Sequence, residues 1–129
     1  MVTNTIVWAD IPVTDMDRAR NFYSAVLQAD IELMEGADGD VALLPWDPQQ
    51  GTVGGDLVRG EFAKPGAGGI TIYLNSKGDP EGMMARAVAA GGQVAMPVSD
   101  MGEMVGFIGH FIDSEGNRIG VHAPHAAQG

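Results

Sequence analysis

Apolar residues along the chain follow two alternating rhythms, and the rhythm changes in the same order twice. From Thr5, TIVWADIPV is rich in β-branched and aromatic residues and predicts a strand. In the following TDMDRARNFYSAVL, the residues Ala19, Phe22, Tyr23, Val26 and Leu27 recur at i, i+3, i+4, i+7 and i+8. That is one buried helix face. Thr14 or Asp15 caps its first amides, and Asp15 and Asp17 lie near its positive end. Three short strands come next, IELME, VALLPW and TVGGDLV, parted by the turn segments GADGD and DPQQG. The order then restarts. GGITIYLN is a strand, and Asp79 with Pro80 opens a second helix whose apolar face is Met84, Ala87 and Val88. Gly91 and Gly92 end that helix. QVAMPV, VGFIGHFI and NRIGVHA are three more strands, with DSEGN between the last two.

Each half therefore predicts βαβββ, an α+β arrangement with internal repetition. The expected organisation is one domain over residues 1–129. Its parts are a first module over about 4–59, a linker over about 60–67, a second module over about 68–124 and a short tail, 125–129. Nineteen glycines fit a fold with many tight turns, and 45% hydrophobic residues supply a core.

Charge and composition remove several functions. The net charge is −10, from 17 acids against 7 bases, which argues against nucleic acid as a partner because phosphates need clustered Lys and Arg. The acids are scattered, as on a solvated surface. No cysteine is present, so thiolate chemistry is excluded. The segment MVTNTIVWADIPV lacks the basic and apolar regions of a signal peptide, and no stretch is long enough to span a membrane. A cytoplasmic protein without membrane contact is expected. There is no G-x-S-x-G elbow, P-loop, H-E-x-x-H or dinucleotide fingerprint.

The segments IPVTDMDRARNFYSAVL, VGGDLV followed by GGITIYL, and FIDSEGNRIGVH together resemble the vicinal oxygen chelate superfamily, also called the glyoxalase/bleomycin resistance/dioxygenase superfamily. Ser114 stands where that family usually has proline, and Gln28 where it often has glycine. The resemblance implies two βαβββ modules with curved mixed sheets that enclose a cavity. In metal-dependent members, each module supplies two ligands, one on its first strand and a carboxylate on its last.

Carried over position by position, those ligand places hold Trp8 in the first strand, Gly69 in its counterpart in the second half and Gly120 on the last strand. The fourth is either Gly55 or Asp56. Glycine has no ligating atom, and an indole N–H only donates. A zinc site needs about three protein ligands, so no metal and no other cofactor is expected. His110 and His122 fall on adjacent strands without a third ligand, and His125 lies near the tail.

The expected cavity lining is aromatic and sparsely polar: Trp8, Trp46 and Tyr73 as walls, Asp10 and Asp56 as acids, and Gly69 and Gly120 as space. His110 and His122 join them, with Met101 and Met104 as an adaptable lid. Asp10 shares the face of Trp8 by alternation. The expected function is metal-independent binding of a small organic molecule. Two alternatives stay open: a lyase or dioxygenase-type enzyme of the same superfamily using a divalent metal, and an assembly module without a ligand. Exposed sheet edges predict a homodimer.

Overall fold

The computed structural model describes residues 3–125, so residues 126–129 of the tail lie outside the described residues. The first module runs β1 (Trp8–Pro12), α1 (Met16–Leu27), β2 (Glu32–Leu33), β3 (Val41–Leu43) and β4 (Gly54–Val58). The second runs β5 (Ile72–Asn75), α2 (Pro80–Ala89), β6 (Gln93–Asp100), β7 (Phe107–Ile112) and β8 (Arg118–Ala123). Each module forms its own four-stranded mixed sheet, in the orders β1-β4-β3-β2 and β5-β8-β7-β6. In both, the first strand lies parallel to the last, and the remaining pairs are antiparallel. The fold is therefore α+β, with βαβββ twice.

Local chemistry explains the helices. The Asp15 carboxylate accepts from the Arg18 amide at 3.0 Å and caps α1. Asp79 caps α2 through the Gly82 amide at 2.9 Å, with Pro80 at the first turn and Gly91 at φ +110 just past the end. The buried stripe of α2 is Met83, Met84 and Ala87, whereas Val88 is exposed, so the stripe sits one position earlier than its periodicity predicts.

The strands shift as well. IELME yields only Glu32–Leu33, and VALLPW stops at Leu43, ahead of Pro45, which has no amide to give the ladder. QVAMPV lengthens to eight residues along a sheet edge. The register slips between Met96 and Ser99, the stretch that contains Pro97.

The core lies between the helices and one face of each sheet. It contains Ile11, Phe22, Tyr23, Val26, Leu57, Phe111 and Val121, all nearly inaccessible. Phe22 of α1 reaches Phe111 of β7, with ring centroids 5.7 Å apart. A polar seam reinforces that contact. The turn Asp113–Asn117 of the second module grips the start of α1. Glu115 accepts from the Thr14 amide at 2.8 Å, the Asp15 amide at 2.9 Å and Arg18 Nε at 2.7 Å. Asn117 Nδ2 donates to the Pro12 carbonyl at 2.8 Å, and Tyr23 Oη donates to buried Asp113. No helix of the described residues is long and apolar enough to cross a membrane.

With one face of each sheet committed to the helices, strand alternation sends the intervening side chains to the other face. Trp8, Asp10 and Asp56 share it in the first module, and Tyr73, His110, Gly120 and His122 share it in the second.

Candidate functional site

Two small clusters occupy those helix-free faces. In the first module, register places Trp8 opposite Gly54 and Asp10 opposite Asp56. Gly54 is the floor for two rings: an added Cβ would lie 2.6 Å from Trp46 and 2.7 Å from Trp8. The two indoles meet edge to face with centroids 4.9 Å apart, and Trp46 Nε1 donates to the Thr52 carbonyl at 3.0 Å. Behind Trp8, Asp56 is only 8% exposed, and its Oδ1 has no hydrogen-bond partner. Burial pushes its carboxyl up to about 7, helped by the hydrogen bond and charge of Asp10 and opposed by the Trp8 indole. Near neutral pH this acid pair takes up or releases one proton.

In the second module, Tyr73 lies opposite Gly120, which lies opposite His110. The Tyr73 ring occupies the space above Gly120, where any Cβ would collide with it. Tyr73 Oη is 2.7 Å from His110 Nε2, and His110 Nδ1 is 3.2 Å from Arg118 Nη1. A guanidinium only donates, so Nδ1 must accept and the imidazole proton must sit on Nε2. That N–H then donates to the phenol oxygen, which leaves the Tyr73 hydroxyl proton free for another acceptor. Burial, together with the charge of Arg118, lowers the His110 pKa and keeps the ring neutral.

Members of each cluster, Trp8 and Tyr73 among them, also line a cleft of about 720 Å³ bounded by β1, β5 and the start of β8, a size suited to a small molecule. Trp8 and Asp10 line one side, Tyr73 and Arg118 the other, with Lys64 and Ile70 from the intervening segment. Arg118, Lys64 and Gly54 were not singled out in the sequence. Arg118 was accessible to the same alternation that placed Gly120, two residues on, whereas Lys64 reaches the cleft from a segment without a period.

The other expected residues are less central. Gly69 precedes β5 at φ +85, and a Cβ there would meet nothing. Gly55 turns towards Leu44 on the helix side, so Asp56 is the β4 counterpart of Gly120. His122 shares the face of Gly120, and its Nε2 donates to the Val105 carbonyl at 2.7 Å. That bond pins the loop between β6 and β7, on which Met101 and Met104 are exposed and away from the cleft. His125 is 2.8 Å from Asp100 and stacks on Phe107.

Among the described residues no three His, Asp or Glu side chains converge to hold a metal ion. Asp10 and Asp56 are two carboxylates on one wall, and both nitrogens of His110 are engaged. This donor set does not fit the divalent site of metal-dependent chelate proteins.

The model of the Glyoxalase/Bleomycin resistance protein/Dioxygenase superfamily matches residues 5–121. No curated protein matches the chain. Solved structures share its fold at low identity. A glyoxalase/bleomycin resistance protein from Albidiferax ferrireducens T118 superposes with TM-score 0.72 at 15% identity, covering 92% of this chain and 98% of that one. A glyoxalase-related enzyme from Fulvimarina pelagi gives 0.70 at 14%, covering 93% and 88%. A mutant of the fosfomycin resistance protein FosX from Listeria monocytogenes, in complex with Mn(II) and 1S,2S-dihydroxypropylphosphonic acid, gives 0.62 at 15%, covering 99% and 95%.

Proposed function

Because the chain belongs to the Glyoxalase/Bleomycin resistance protein/Dioxygenase superfamily, we propose that it binds a small organic molecule in the cleft between its two sheets without a metal ion. The observation that carries this reading is what stands at the ligand places. Trp8 packs with Trp46 over Gly54, and Tyr73 covers Gly120. Aromatic surface and a few placed polar groups are what a small-molecule site requires. A thermal-shift screen of drug-sized compounds should find ligands that raise Tm, and Trp8→Ala should weaken them by about tenfold or more. One-to-one micromolar binding of zinc, nickel or manganese in calorimetry would sink the metal-free reading.

The Asp10–Asp56 pair supports a second reading, an enzyme of the same superfamily that moves a proton with Asp56. A carboxyl titrating near 7 suits general acid–base work. Turnover of the methylglyoxal–glutathione adduct, with and without added nickel or zinc, tests it. Activity abolished by Asp56→Asn would favour it over simple binding.

A further inference from the structure

The cleft carries opposite charges on its two walls. Asp10 lines the β1 side, with Asp56 behind it. Asp56 is nine-tenths buried and does not line the cleft, so the acceptor presented there is the exposed carboxylate of Asp10. Tyr73 lines the same cleft, and its hydroxyl proton is free, because His110 Nε2 occupies the oxygen as a donor. Arg118 stands beside it with further N–H donors, and Lys64 adds a second cation to the same cleft. One wall therefore accepts and the other donates, and the Trp8 indole lies on the acceptor side.

From this arrangement we infer that the ligand is zwitterionic: a small apolar or aromatic body with an ammonium group for Asp10 and a carboxylate-like oxygen for Tyr73 and Arg118. The inference rests on the proposed binding function and names its ligand class. A purely cationic ligand would meet Arg118 and Lys64 unpaired, and a purely anionic one would meet Asp10. Each charge-assisted hydrogen bond in a partly dry cleft outweighs its neutral equivalent, so both ends contribute to affinity.

Three probes with one ring and different charges separate the possibilities: phenylalanine, 2-phenylethylamine and 3-phenylpropanoate. The chain has two tryptophans, Trp8, which lines the cleft, and Trp46, which packs edge to face on it, so intrinsic fluorescence reports binding directly. At low salt and near-neutral pH, phenylalanine should bind about tenfold or more tighter than either singly charged probe. Asp10→Asn should abolish the preference for phenylalanine over 3-phenylpropanoate, weakening the former and strengthening the latter. Tyr73→Phe should reduce phenylalanine to the level of 2-phenylethylamine, and Arg118→Gln, which removes the cation and also releases His110 Nδ1, should do the same. Equal binding of all three probes, equal loss of all three in the variants, or no binding of phenylalanine overturns the zwitterion assignment. The broader compound screen remains an independent test of binding, so a hit there with no charge preference would reject only this step.

Discussion

Gln28 closes α1 in the left-handed region, at φ 54, with its amide donating to the Ser24 carbonyl. Glycine takes that conformation without a Cβ penalty. Gln28→Gly should therefore stabilise the protein by about 0.5–1 kcal/mol, net of the extra freedom it gives the unfolded chain, and denaturant titration would show it as a raised midpoint. Asp56 is under strain of another kind. Its folded pKa of about 7 lies above the unfolded carboxylate value, so the native state holds a proton that the unfolded state has released. Stability should fall as pH rises from about 4 to about 7 and level off above. Asp56→Asn should remove that slope and, at pH 8, stabilise by on the order of 1 kcal/mol, as melting curves across pH would record. From the residues alone Asp56 is one of two candidates, with Gly55, for a single ligand place, and its position opposite Asp10 follows only from the strand register. Its titration was not legible, because it depends first on burial and then on Asp10, a neighbour brought near by parallel pairing of β1 with β4.

Among elements, strands and helices repeat the periods written in the residues, since each half must bury one face of each element. The boundaries moved where local rules met the ladder: at Pro45, at the Pro97 slip and on the Met83 side of α2. The glycines of the last strands were harder to read. A glycine in a strand signals either open space or close approach of something else, and here Gly54 and Gly120 are both covered by rings from neighbouring segments. Gly120→Ala should push the Tyr73 ring aside and break its bond to His110. The expected result is a loss of about 1–3 kcal/mol in stability, and loss of probe binding, by denaturant titration and fluorescence together. The DSEGN turn between β7 and β8 also exceeds its expected role as a connection. Burial pushes the Glu115 carboxyl up, but Arg18 and the Asp15 and Thr14 amides outweigh it and hold it at about 2. Its contribution is present above the unfolded value and is lost as pH falls from about 4.5 to about 2. Glu115→Gln should cost about 1–2 kcal/mol at pH 7 and nothing near pH 2, which urea melts at the two pH values would show.

At the scale of the whole molecule, the two modules share strand order and pairing sense, yet their helix-free faces differ in sign. The first carries Asp10 and Asp56, and the second carries His110, Arg118 and Tyr73. The duplication was visible in the sequence as a repeated pattern. The cleft that Asp10 and Arg118 both line was not, because it depends on how the two sheets sit together. Ile6, Val7, Phe62 and Ile70 remain well exposed. We propose that part of this apolar surface is covered in a homodimer, and light scattering should return twice the chain mass; a single-chain mass would reject it.

The grip of the Asp113–Asn117 turn on the start of α1 has a consequence for how the molecule comes apart. Two independent copies of one motif would melt as two events, each half on its own schedule. Stitched through Tyr23, Thr14, Arg18 and Pro12, neither half can loosen without stripping partners from the other. Scanning calorimetry should accordingly show one peak whose calorimetric and van't Hoff enthalpies agree.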